Sequence, residues 1–187
     1  MIPDERNRSD AELARRAREG SAAAFEILYD RHAPGVARAL ASFAGPDHDL
    51  LDDLVQDVFL RVIRGLPSYA PSHPFAHWLY TIALNVGRNH ARRARVVPVN
   101  PAELDDLAGV SHGDPGDAVL LMRLVSRLPE PMREVVSLRV GADLSYGDIG
   151  ELLGIPDGTA RSRMHHATRM LRDLAGIAER KRSNDHD

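Results

Sequence analysis

The stretch WLYTIALNVGRNHARRAR, from Trp78 to Arg95, begins apolar and ends with Arg88, Arg92, Arg93 and Arg95, and contains no acid to pair them. A guanidinium is planar, permanently charged and rich in donors, so a crowd of them suits phosphate and nucleic-acid edges. Solvated arginines at a helix C-terminus, where the macrodipole favours cations, have the same appearance. This stretch alone leaves both readings open. Just upstream, PSYAPSHPF sets Tyr69 and His73 beside Phe75 and Trp78. Aromatic rings near a cationic helix can stack unpaired bases, although a tryptophan at such a place also serves as core.

A second cationic run is more specific. After Leu128-Pro129-Glu130-Pro131 the pattern divides into helix, turn, helix, tight turn and helix. Ser145 and Asp148 make an [ST]-x-x-[DE] cap for a short helix packed through Ile149, Leu152 and Leu153, and Gly154-Ile155-Pro156-Asp157 ends it and starts the next. In that last helix Ala160, Met164, Ala167, Leu171 and Leu174 share one face, while Arg161, Ser162, His165, Arg169 and Arg172 take the other. Small residues near the helix start allow entry into a major groove, where arginine reaches guanine acceptors or phosphates. The spacing predicts a helix-turn-helix rather than a generic helical hairpin.

Other helices must position these two surfaces. Ser9-Asp10-Ala11-Glu12 is a capping-box pattern that predicts a short helix to Glu19, with Glu12 reaching back to the cap. Gly20-Ser21 restarts a longer helix with Phe25, Leu28, Tyr29, Val36, Leu40 and Phe43 as its stripe and Pro34 as a point of bending. In LLDDLVQDVFLRVIRGL, the residues Leu51, Leu54, Val55, Val58, Phe59, Val62 and Ile63 recur at threes and fours and predict one buried face. Asp53, Gln56, Asp57, Leu60, Arg61 and Arg64 then point outward, as a solvated face or as a protein-docking one. On the Trp78 helix, Phe75, Trp78, Leu79, Ile82, Ala83 and Val86 form the core arc, and His77, Thr81, Asn85, Arg88 and Arg92 a polar stripe beside it.

No alternating strand pattern and no repeat occurs, so the expected fold class is all-α: two small helical domains joined by a flexible linker, the C-terminal one a helix-turn-helix. The domains are placed at 9–95 and 118–176. The segment 96–117 between them, rich in Pro, Gly and Asp, reads as linker. The chain of 187 residues is 43% hydrophobic and 27% charged, an ordinary globular composition, with a net charge of −3. Basic residues gather at Arg88 to Arg95 and Arg161 to Arg182, acids at Asp47 to Asp57 and Glu103 to Asp117. With no cysteine, disulfides, thiolate zinc sites and cysteine nucleophiles are excluded. The absence of a long apolar run or a basic-then-apolar leader predicts a cytoplasmic protein. His73 and His77 lie one turn apart, the seed of a rival metalloenzyme reading, but Pro74 lies between them and no H-E-x-x-H pattern accompanies them. No Walker loop or nucleophile elbow is present, and no catalytic residue or cofactor is expected.

Three stretches in order, DLVQDVFLRV (53–62), WLYTIALNVGRNHARR (78–93) and LPEPMREVVSLRV followed by LSYGDIGELLGIPDGTARSRMHHATRML (128–171), carry a resemblance that covers nearly the whole chain. The sequence resembles bacterial sigma factors of the extracytoplasmic-function (ECF) group, the two-domain members of the sigma-70-type family. That resemblance implies that Asp53, Gln56, Asp57, Leu60, Arg61 and Arg64 dock on the clamp helices of core RNA polymerase, with the flap as a further contact. It implies that Tyr69, His73, Asn85, Arg88 and Arg92 meet the minus-10 promoter element, and that Arg161, Ser162, Arg163, His165, His166 and Arg169 meet the minus-35 element. Opening a duplex costs about 1.4 kcal/mol per step, so melting without ATP requires capture of the freed strand. An anti-sigma factor, often membrane-bound, is the further partner the group implies. A conventional helix-turn-helix regulator that acts without polymerase is the rival DNA-binding reading. Two positions depart from the family pattern, Leu84 and His166, where arginine is frequent. At the second, protonation would make promoter affinity depend on pH between about 6 and 8.

Overall fold

In the computed structural model the described residues are 5–45, 47–70, 73–96 and 117–184, and every regular element among them is helical. The linker residues 97–116, with Glu103, Asp105, Asp106 and Asp114, lie outside them.

Local capping chemistry sets the helix starts. α1 (Asp10–Arg18) opens where the Ser9 hydroxyl accepts the Glu12 N–H at 3.3 Å. The expected reciprocal reach of Glu12 is not made. Its carboxylate instead takes the Arg15 guanidinium at 2.8 and 3.1 Å, because a charged donor three residues on outcompetes a neutral backbone N–H. α2 (Ala22–Ala44) is capped by Ser21 and carries Pro34 in its interior as a single helix. α3 (His48–Gly65) is capped by Asp47, which accepts from the Leu50 N–H at 3.0 Å, and α4 (Phe75–Val96) follows a short 3-10 turn and a loop. Leu28, Val36 and Leu40 of α2, Val58 and Val62 of α3 and Leu79 of α4 are wholly buried together, each worth roughly 1.5–3 kcal/mol of burial.

α4 is buried more widely than its periodicity predicts. Phe75, Leu79, Ala83 and Val86 are core as expected, with Trp78 and Ile82 half-buried, but Tyr80, Leu84 and Gly87 are buried as well. Tyr80 seats its hydroxyl over Gly35, and a Cβ at Gly87 would come within 2.8 Å of the Phe43 ring. Leu84 is therefore a packing residue in this chain.

The C-terminal block comprises α5 (Asp117–Ser126), α6 (Glu130–Val136), a π-helical turn (Ser137–Gly141), α7 (Tyr146–Leu153) and α8 (Asp157–Asn184). Ser145 and Asp148 form the full capping box at the start of α7. Gly154, at φ 66°, ends α7 in the left-handed conformation that glycine adopts without strain, and a Cβ at Gly150 would come within 2.7 Å of the Ile155 carbonyl oxygen. These two glycines set the tight corner between α7 and α8, so the all-α fold with a C-terminal helix-turn-helix is the one observed. α8 runs to Asn184.

The two blocks also pack on each other. Val135, Leu138, Ile149 and Ala160 join the cluster formed by α2, α3 and α4. At the crossing of α2 and the π-helical turn a Cβ on Gly141 would stand 2.5 Å from the Ala39 nitrogen. There the Ser42 and Ser137 hydroxyls meet at 2.5 Å and Arg38 Nε donates to the Gly141 carbonyl at 3.1 Å.

Candidate nucleic-acid interface

The first surface is the α4 stripe and the loop before it. Asn85, Arg92 and Arg93 are exposed. Arg92 donates to the Asn89 side chain at 2.7 Å, which holds the guanidinium along the helix. Asn85, Arg88, Asn89 and Arg92 line a cleft of about 340 Å³ whose far wall is Glu130. Arg88 does have acidic partners, contrary to what its own helix suggests. Its Nε donates to Glu134, a buried carboxylate, and lies 4.0 Å from Glu130. The hydrogen bond it donates to Glu134 holds the guanidinium still more firmly in its charged form, against the opposing effect of burial. His77 is similarly approached, with Nε2 at 3.3 Å from Asp148 and Nδ1 at 3.7 Å from Glu151.

Upstream, His73 is exposed and Tyr69 is buried. The Tyr69 ring lies 5.0 Å from Trp78 and 5.6 Å from Phe75, and its hydroxyl donates to the His73 carbonyl at 3.1 Å. Burial raises the phenol above its ordinary value, and the nearby Asp10 carboxylate adds to that. In this arrangement Tyr69 shapes the loop from within. Asp10 fixes the loop's surroundings by accepting from Arg31 and by meeting His32 Nε2 at 2.9 Å, and His32 in turn lies against Phe75.

The second surface is α8. Arg161, Ser162, His165, His166 and Arg169 are exposed, Arg163 is half-buried, and Ala160 and Ala167 face the core. Arg161 is 66% exposed, stands 5.1 Å from the Tyr146 ring centroid and has its guanidinium 3.9 Å from Asp157. A cation–π contact of this kind orients a guanidinium without neutralising it.

The third surface is the outer face of α3. Asp53, Gln56, Leu60 and Arg64 are exposed, and Arg61 makes a two-bond fork to the half-buried Asp57, each bond 2.9 Å. Ile63, expected in the core, is instead 48% exposed beside Leu60 at 50%. α3 needs only the narrower arc of Leu54, Val55, Val58, Phe59 and Val62 to fill its side of the core, so the apolar part of its outer face is larger than periodicity indicated. Among the described residues no group of three or more His, Cys, Asp or Glu side chains is placed to hold a metal ion. No helix among them is long and apolar enough to cross a membrane.

Two family models match the chain: Sigma-70 region 2 over residues 28–96, and Sigma-70, region 4 over residues 118–171. The chain therefore belongs to the sigma-70-type RNA polymerase sigma factors, in their ECF group. It is 37% identical to the RNA polymerase sigma factor CarQ of Myxococcus xanthus over 88% of this chain and 96% of that one. It is 29% identical to the ECF RNA polymerase sigma-E factor of Haemophilus influenzae, with 87% and 93% covered. Among solved structures it is similar to CnrH in complex with the cytosolic domain of CnrY, with a TM-score of 0.69 and 29% identity over 90% of this chain and 97% of that one. The fold is also that of the sigma factor RpoE from Bartonella quintana, solved with the anti-sigma factor NepR, at a TM-score of 0.62 and 23% identity over 82% and 97% of the two chains.

Proposed function

We propose that the chain binds core RNA polymerase, reads both promoter elements and promotes melting, with the residues 9–95 and 118–176 acting as separate functional units joined by 96–117. The observation that carries this reading is the exposed basic face of α8, presented by the glycine-built corner after α7, in a chain whose family acts through polymerase. In this reading Arg161, Ser162, Arg163, His165, His166 and Arg169 meet the minus-35 duplex. Asn85, Arg88 and Arg92, with His73 and the Tyr69 loop, meet the minus-10 strand. The α3 face of Asp53, Gln56, Asp57, Leu60, Arg61 and Arg64 docks on the clamp helices, and its exposed Leu60 and Ile63 supply the apolar contact that such docking requires. The chain itself carries no chemistry in this account; it directs the reaction of the polymerase.

An anti-sigma factor is the regulatory partner in this reading. Solved relatives with the same fold are complexes of this general kind, and a two-block chain is inhibited by any partner that fixes one arrangement of its blocks. The chain then acts in the cytoplasm, at the membrane only through such a partner. The test is reconstituted transcription, with purified protein and bacterial core polymerase on a genomic promoter library and run-off products mapped by sequencing. Initiation that depends on the protein at sites sharing two spaced elements is the expected result. Protection of duplex sites by the protein alone, with no polymerase binding, would replace this reading with a conventional regulator.

A further inference from the structure

We propose that Tyr146 is a positioning residue for Arg161, holding its guanidinium in the orientation in which α8 meets the minus-35 duplex. This rests on the reading of α8 as the minus-35 surface.

Arg161 lies about one turn into α8, and a side chain so long and so exposed samples many rotamers unless something restrains it. Two groups reach it from two different helices. Asp157, on α8 itself, comes within 3.9 Å, with both side chains 66% exposed. That distance is too long for a hydrogen bond, and water screens an ion pair so placed. Tyr146, the first residue of α7, brings its ring centroid to 5.1 Å from the guanidinium carbon, inside the range of about 6 Å in which a ring face attracts a cation. The two restraints differ in what they leave free. A carboxylate takes up the same N–H groups that DNA would use, whereas a ring takes none, so every donor of the guanidinium stays available to guanine or phosphate acceptors.

The ring is itself fixed. Tyr146 is half-buried and follows directly on the Ser145 cap, where the capping box sets the start of α7. The turn before the cap is held by Arg139 of the π-helical turn, whose Nη1 donates to Asp143 Oδ1 at 3.1 Å and to the Leu144 carbonyl at 3.2 Å. Asp143 sits at φ 53°, a left-handed conformation that aspartate adopts more readily than most side chains. The Arg139 guanidinium carbon also stands 5.7 Å from the centroid of the Tyr146 ring. One ring therefore attracts two cations from different elements, Arg139 tied to the turn and Arg161 exposed on α8. The corner built by Gly150 and Gly154 brings α7 and α8 close enough for this. The direction of Arg161 is thus inherited from α7, which contributes to recognition through a side chain that need not touch DNA.

The test measures binding of the polymerase-bound chain to a duplex carrying the mapped minus-35 element, as a function of salt. The wild type is compared with Tyr146→Phe, Tyr146→Leu, Arg161→Ala, Arg169→Ala and the Tyr146→Leu/Arg161→Ala pair, each checked for helicity. Arg161→Ala should lower the salt slope by about 1. Tyr146→Leu should weaken binding by about two- to fivefold and, although it removes no charge, lower the slope by part of that amount. Tyr146→Phe keeps the ring and should match the wild type. Once Arg161 is alanine, Tyr146→Leu should cost nothing further, because its effect runs through the guanidinium. Equal losses from Tyr146→Phe and Tyr146→Leu would assign the effect to the hydroxyl and overturn the proposal. So would a Tyr146→Leu loss that keeps the wild-type salt slope and persists in the Arg161→Ala background, the mark of a packing role alone, or no loss from Tyr146→Leu where Arg161→Ala binds weakly. If Arg169→Ala weakens binding and Arg161→Ala does not, Arg161 lies outside the interface and the proposal alone falls. If neither weakens it, the reading of α8 falls as well.

Discussion

α4 holds its key cation against carboxylates, while α8 presents its cations to solvent. Both helices are basic on one side and apolar on the other, yet α4 is enclosed by α2, α3 and α7, and α8 packs on its block through one stripe, Ala160, Met164, Ala167 and Leu171. In the proposed function the difference separates two ways of meeting nucleic acid. A helix that must enter a duplex groove has to stand clear of its own fold. In the proposed function α4 holds a strand during melting and so needs a firm mount; its mount and its partner acids come from distant parts of the chain.

The largest expected effect breaks the mount. Leu79→Ala removes a wholly buried side chain from α4 and should cost about 2–5 kcal/mol in a urea titration. Met170→Ala on α8, where the residue is 37% exposed, should stay within about 0.5 kcal/mol. Equal costs for the two would remove the contrast in mounting. Next, Arg161→Ala with Arg169→Ala should weaken polymerase-dependent binding of a minus-35 duplex by about tenfold or more and flatten its salt slope by about 2. Arg88→Ala should leave that duplex assay unchanged, and a matching loss from Arg88 would merge two surfaces that the contrast keeps apart. Smaller again, Gln56→Ala with Leu60→Ala should weaken binding to core polymerase by several-fold and leave the unfolding midpoint in place, since both side chains are exposed.

Signals confined to a few neighbouring residues were readable in the sequence. The Ser145–Asp148 capping box, the Gly154 corner and the opposite faces of α8 each follow from residue type and spacing within a turn or two. Where neighbours are remote, the sequence was silent. No periodicity can tell that Arg88 meets Glu134, because those residues come together only when α6 docks on α4. The same applies to Tyr80 and Leu84, which look like interruptions of one apolar arc until α4 is seen to be covered from more than one side. Ile63 erred the other way: it fits the arc of α3 but lies beyond the part the core has room for. The π-helical turn at Ser137–Gly141 coincides with the close approach of Gly141 to Ala39, a tertiary event with no local signature.

The finest effect joins the two helices' surroundings through one carboxylate. Asp148 caps α7, accepting from the Ser145 hydroxyl at 2.5 Å and the Ser145 N–H at 3.0 Å, and it also faces His77 of α4 at 3.3 Å. The Ser145 hydroxyl bond is the main cause holding its carboxyl below the ordinary value of 3.8; burial opposes the shift, and the Ser145 N–H and His77 add to it. A carboxyl depressed in the folded state contributes stability above its unfolded value, and loses that contribution as pH falls through the folded one. The wild-type chain should therefore be more stable than the Asp148→Asn variant at about pH 5, and the gap should shrink once pH falls below the carboxyl's ordinary range and close as pH falls through the lower folded value. Repeating the comparison with His77→Gln divides the effect. If the gap at about pH 5 is unchanged by that second substitution, Asp148 acts only as a cap on α7. If the gap narrows, the same carboxylate also ties the helix-turn-helix to α4 through His77.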